Sequence, residues 1–251
     1  MAADTMDLSG KHVVVVGGGS GIGRATAQAA VALGARVTLS SRNRDRLAEV
    51  AQAIGGETET AAVPLDMTDA RGVAAWAGAV GPLDHLVITA SSAAHGPFAE
   101  MEMAALTGMF EAKFFGPYQT ARAVLPQIGD GGSITFFSGV LSRRPGLNCA
   151  GLGAVNGAVE GLTRALALEL GPAIRVNCVS PGMVRSDAYA AMPAEARERM
   201  YEATGESLPL ARVGETAEVA QAVLFLMTNS FTTGVVLDVD GGHMVRQYAT
   251  R

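Results

Sequence analysis

Glycine dominates a short stretch near the amino terminus, Gly17-Gly18-Gly19-Ser20-Gly21-Ile22-Gly23. Such a stretch is suited to holding a phosphate. Glycines permit a tight turn and let backbone amides approach the anion, whose charge is favoured at the start of a following helix. Taken alone, the loop could equally be a flexible turn. Its setting favours the phosphate: it follows the β-branched run His12–Val16 and precedes an alanine-rich helical segment. Gly17, Gly19, Ser20, Gly21, Ile22 and Gly23 are therefore expected to hold the pyrophosphate of a dinucleotide.

A second group bears on which dinucleotide. An acidic residue at the end of the second strand would bind the ribose 2′-hydroxyl of NAD and repel a 2′-phosphate. The chain has Ser40-Ser41-Arg42-Asn43-Arg44 there. Ser41 can donate a hydrogen bond to phosphate, and Arg42 offers a planar, permanently charged fork. Arginines here can also simply solvate a helix start, but the pairing with Ser41 favours NADP(H) over NAD(H). Cys149 and Cys178 are the only cysteines. They lack metal-ligand spacing, so reduced thiols and no metal site are expected.

Positioning these residues requires a scaffold, and the sequence pattern supplies one. Apolar runs predict strands over His12–Val16, Arg36–Ser41, Thr60–Leu65, His85–Thr89, Ser133–Ser138, Arg175–Ser180 and Val235–Val239. Helical segments start near Gly21, Asp45, Asp69, Glu100, Gly151 and Thr216. This alternation implies an α/β fold: a Rossmann-type, doubly wound, seven-stranded parallel sheet in three layers. The 251 residues fit one domain, and no linker-like composition or repeat divides them. The stretch from Met183 to Leu210, rich in Met, Ala and Pro, reads as an irregular insertion that forms a lid.

Composition narrows the function classes. With 49% hydrophobic and 17% charged residues the chain is globular. A net charge of -5 argues against nucleic acid as a partner. There is no apolar run of the roughly 18 residues a membrane helix needs. Met1 to Lys11 do not resemble a signal peptide, so a cytoplasmic location is expected. From Ala150 to Leu170, apolar residues recur on several helical faces, including Val155, Val159, Leu162, Leu166 and Leu168. A helix of this kind is buried on more than one side, which predicts a homodimer or homotetramer.

The spacing of Gly17, Gly21 and Gly23 closely resembles the short-chain dehydrogenase/reductase family, with Val16 where that family has Thr. The resemblance runs from Gly10 to Gly242. Leu65-Asp66-Met67-Thr68-Asp69 resembles the segment whose aspartate contacts the adenine amino group, which gives that role to Asp66 with Met67 beside it. Asp84 to Ser91 resembles the fourth strand and its loop, adding Ala90 to the implied cofactor contacts. Asn177 to Gly182 resembles the Pro-Gly turn beside the nicotinamide and implies Pro181 and Gly182. The resemblance also implies the Val184 amide against the carboxamide and the Ser186 hydroxyl nearby. Val236 to Gly242 resembles the final strand.

The family's chemistry rests on a Tyr-x-x-x-Lys pair, a serine thirteen residues upstream and an asparagine on the preceding helix. Here Leu152-Gly153-Ala154-Val155-Asn156 occupies the Tyr-x-x-x-Lys window, with Glu160-Gly161-Leu162-Thr163-Arg164 holding the register. Gly139 falls at the serine and Lys113 at the asparagine. Leucine cannot transfer a proton, and general acid catalysis is typically worth about 10²–10⁴ in rate. Relative to the family, an amide and an amine have changed places: Lys113 and Asn156 would face one cavity from opposite walls. Lys113 either points at the nicotinamide ribose or substrate, or snorkels to solvent and pairs with Glu111.

Catalytic candidates are therefore Lys113, Ser138, Asn156 and His95. Ser138 and Ser142 flank the vacated serine position, where either binds a substrate oxygen or satisfies loop backbone. His95 stands before the rim turn Gly96-Pro97-Phe98. Tyr118 lies off Lys113's helical face and is expected to pack. Three functions follow: an NADP(H)-dependent oxidoreductase with a rebuilt site acting on a small carbonyl or alcohol, a non-catalytic NADP(H) sensor or scaffold, or a non-redox enzyme using Lys113.

Overall fold

The computed structural model describes residues 6–55, 60–89 and 92–246. Strand β1 (His12–Val16) is buried throughout. Val13 and Val15 enter one apolar cluster, and Val14 and Val16 enter another. Branched residues suit a strand covered on both faces, and each fully buried valine is worth about 1.5–3 kcal/mol relative to exposure.

The glycine loop leads into α1 (Gly21–Ala32), then β2 (Arg36–Ser40), α2 (Arg44–Gly55), β3 (Thr60–Ala62), α3 (Ala70–Val80) and β4 (Leu83–Ile88). Helix α4 (Met103–Phe110) runs through a π turn (Glu111–Phe115) into α5 (Gly116–Val124). Strand β5 (Ile128–Phe137), helix α6 (Ala150–Leu170) and strand β6 (Ile174–Pro181) follow. The remaining elements are β7 (Val184–Arg185), α7 (Ala194–Glu206), β8 (Gly214–Glu215), α8 (Thr216–Thr228) and β9 (Val236–Val239).

Seven strands form a parallel sheet in the order β3-β2-β1-β4-β5-β6-β9, and β7 pairs separately with β8. On one face pack α1, α2 and α8, through Ala27, Leu47 and Val223. On the other pack α3, α5 and α6, through Trp76, Val124 and Val159. The expected three layers are present. Strand order reverses between β1 and β4, and in open α/β sheets ligands bind outside the strands' carboxyl ends at such a switch point.

One expectation is corrected. Residues 183–210 are not irregular: they hold β7, a 3-10 turn (Asp187–Tyr189) and α7. Pro193, one of the prolines of this stretch, occupies the N-cap of α7, followed by good helix formers such as Ala194, Glu195 and Ala196. Arg185 ties this helix down, bonding Glu198 at 2.5 and 2.6 Å and lying over the Tyr201 ring at 4.6 Å. Smaller shifts are at element ends. Strand β3 stops at Ala62, β5 begins at Ile128, and the helix expected near Glu100 begins at Met103 and is broken by the π turn. Among the described residues no helix is long and apolar enough to cross a membrane.

Candidate active site

The ends of β1, β2, β5 and β6 and the loops after them carry the glycines, Ser41-Arg42, Ser138-Gly139 and Pro181-Gly182. Gly21 begins α1 with φ +52°, a conformation that favours glycine. A β-carbon on Gly23 would collide with the Gly17 carbonyl oxygen and come within 2.6 Å of Thr89 Oγ1. The loop therefore lies close against the strand ends, with Ser20 as the N-cap of α1 and Ile22 half-buried. Ser41 adjoins it: a β-carbon on Gly19 would lie 3.3 Å from Ser41 Oγ. Arg42 is exposed beside Ser41.

Arg46, absent from the sequence-based set, donates from Nε to the Gly19 carbonyl at 3.2 Å. The alternation Arg42-x-Arg44-x-Arg46 was its available signal. Asp66 accepts from the Thr68 amide at 2.9 Å and hydroxyl at 2.7 Å, which holds its carboxyl below the usual range. Met67 is buried, and its carbonyl accepts from Gln119 Nε2. Ala90 lies outside the described residues.

At the other end of the cleft, Gly182 donates to the Val239 carbonyl at 3.0 Å, and Pro181 pairs in register with Val239. Val184 is buried, and the Ser186 hydroxyl accepts from the Ala188 amide at 3.4 Å. The next residue brings a carboxylate to the glycine loop: Asp187 Oδ2 accepts from the Gly21 amide at 3.3 Å. That amide begins a helix, where an anion is favoured.

Lys113 sits in the π turn, a geometry often found at functional sites. It does not snorkel: the residue is 8% exposed and Nζ donates to the Ser138 carbonyl at 3.2 Å. Burial lowers the amine from 10.5 to about 8, against a smaller opposing effect of Cys178. Asn156 is also buried and donates from Nδ2 to the Gly139 carbonyl at 3.3 Å. The amine and the amide thus hold two consecutive carbonyls. Asn156 Oδ1 is buried and finds no hydrogen-bond partner among the described residues. A dinucleotide cofactor fits this donor set, because its ribose hydroxyls can satisfy a buried acceptor and its diphosphate suits the glycine cradle.

Ser138 was expected either to bind a substrate oxygen or to satisfy loop backbone. Its hydroxyl turns to Glu160 Oε1 at 3.1 Å, and Ser142 donates to the same oxygen at 2.5 Å. Arg143 Nε lies 3.5 Å from Glu160 Oε2, while the guanidinium clamps Asp238 and reaches Ser180 Oγ at 3.2 Å. The buried Glu160 was legible as the residue one turn beyond Asn156 on α6. Nothing local signalled the Arg143–Asp238 pair, 95 residues apart.

His95 stands apart from Lys113: it is exposed, with Nδ1 3.4 Å from Cys149 Sγ. Tyr118 is 44% exposed, its ring centroid 6.4 Å from that of Phe114. Leu152 is half-buried on α6. Both cysteines are free thiols, and burial pushes Cys178 up to about 11.

A family model described as enoyl-(acyl carrier protein) reductase matches residues 16–244. Galactitol 2-dehydrogenase (L-tagatose-forming) of Cereibacter sphaeroides is 36% identical, covering 95% of this chain and 96% of its own. Human L-xylulose reductase is 34% identical, covering 94% and 97%. A solved small-chain dehydrogenase in complex with NADPH superposes with a TM-score of 0.81 at 36% identity, covering 92% of this chain and 97% of that one. The chain belongs to the short-chain dehydrogenase/reductase family.

Proposed function

We propose that the protein is an NADP(H)-dependent oxidoreductase of small carbonyl or alcohol substrates, working through an active site in which Lys113 replaces the family's tyrosine as proton carrier. One observation carries this reading: an amine enclosed beside the cleft and held to about 8, opposite Asn156 across two consecutive carbonyls. Bound NADPH supplies the hydride. Lys113 Nζ holds the proton that the substrate oxygen acquires, and a value near the working pH suits that transfer. Asn156 Oδ1, buried without a partner among the described residues, would accept from a ribose hydroxyl of the cofactor. Glu160 holds the Ser138 and Ser142 hydroxyls, and with them the loop whose carbonyl orients Lys113.

Ser41 and Arg42 support NADP(H) over NAD(H), with Arg46 close by. Residues 183–210 serve as the lid within a single domain, linked to the cofactor loop through Asp187. Leu168, 87% exposed on α6, with Phe115 at the end of the π turn and Tyr118 on α5, supports a homodimer or homotetramer.

The test uses turnover of NADPH against a panel of carbonyl substrates. In the Lys113→Met variant kcat/KM is expected to fall about 10²–10⁴-fold with little change in NADPH affinity. Thermal stability is expected to rise, because a buried charge gives way to an apolar chain. Unchanged turnover sinks the proposal. The same amine also suits Schiff-base chemistry, and borohydride trapping of a substrate adduct on Lys113 would assign that reading instead.

A further inference from the structure

A cavity of about 590 Å³ opens beside the start of α6, walled in part by Phe98, Leu141 and Leu147, with Ala154 on its helical side and Cys149 on its edge. Phe98 and Leu147 are 87% and 94% exposed, so large apolar side chains at the mouth stand ready to cover an apolar ligand. Cys149 lines this cavity as a nucleophile, and His95, outside the lining, stands beside its sulfur as a base. The Cys149 thiol donates to the Leu147 carbonyl at 3.2 Å, and His95 Nδ1 lies 3.4 Å from the same sulfur. The Gly96 amide bonds the Asn148 carbonyl at 2.9 Å and holds the two loops together. Cys149 is the N-cap of the 21-residue α6, which has no side-chain cap and no acid in its first turn. Negative charge developing on sulfur is favoured there.

We infer that Cys149 and His95 form a covalent-addition site for small, apolar α,β-unsaturated carbonyl compounds. His95 Nδ1 takes the thiol proton as Sγ bonds to the β-carbon. The alkene electron pair shifts toward the carbonyl to give an enolate, and the proton passes from Nδ1 to the α-carbon. The product is a saturated thioether ketone, with no oxidant or reductant consumed. Cys178 is the internal control, buried and pushed up to about 11. The site uses neither the cofactor nor Lys113, so it stands or falls separately from the proposed oxidoreductase function.

The test incubates the full chain with cyclohex-2-enone without NADP(H) and reads adducts by intact mass and peptide mapping. One adduct on Cys149 is expected, at a rate that saturates with enone concentration. His95→Gln is expected to slow bond formation at least about tenfold, and Cys149→Ser to abolish the adduct. Phe98→Ser should raise the half-saturating concentration while leaving the limiting rate alone. An adduct on Cys178, a rate strictly linear in enone, or equal labelling of the His95→Gln variant overturns the inference.

Discussion

Two rims of the same cleft are built on opposite principles. At the ends of β1 and β2 the protein offers backbone: glycine amides packed so closely that a β-carbon on Gly23 has no room, with Ser41 half-buried and Arg42 exposed beside them. Across the cleft, at the end of β5, it offers buried side chains, with Lys113, Asn156 and Glu160 arranged around residues 138 and 139. The first rim offers shape and amides that every sequence possesses. The second depends on particular functional groups taken out of water, whose properties follow from that burial.

The comparison breaks first on pH. His85, at the far end of the sheet, bonds Ser133 Oγ at 2.9 Å and is held to about 4 by burial. The unfolded chain binds that proton near 6.5, so the stability is fully present above 6.5 and is lost as pH falls toward 4. Urea unfolding should record a loss of up to about 3 kcal/mol over that window, largely absent in His85→Gln. Lys113 should act elsewhere: carbonyl reduction needs its charged form, so kcat/KM should fall as pH rises through about 8, and alcohol oxidation should rise. If rate and stability move together in one window, the buried amine is not governing turnover.

A smaller effect probes the exposed rim. Arg42→Ala is expected to weaken NADPH about 10–100-fold while hardly changing NADH, as for loss of a charge-assisted hydrogen bond. Fluorescence titration of both cofactors checks it, and equal losses would show that Arg42 merely solvates a helix start. The smallest concerns the lid. Asp187 occupies the Gly21 amide that a diphosphate would use. Asp187→Asn is expected to tighten NADPH binding about two- to fivefold, the scale of a helix-terminus charge effect. Weaker binding in that variant would mean the carboxylate organises the loop rather than competing for it.

Legibility in the sequence differs between these rims. The cofactor rim was readable because each requirement is local: a valine strand, glycines at fixed spacing, then an alanine-rich helix. Lys113 and Asn156 were readable only through the register with the family, and their residue types left both enclosure and snorkelling open. Arg143, Glu160 and Asp238 meet only after β5, α6 and β9 have packed, so no window of sequence contains their interaction. Residues 183–210 misled for a simpler reason, since Pro193 starts a helix as readily as it stops one.

By itself, the sequence determined the sheet, its strand alternation and the dinucleotide loop, because periodicity and glycine spacing act over a few residues at a time. Only the tertiary structure decided what Lys113 is. Folding places its amine under the loop after β5 instead of in solvent, and desolvation, a property of the packed surroundings, lowers it toward the pH at which it can exchange a proton.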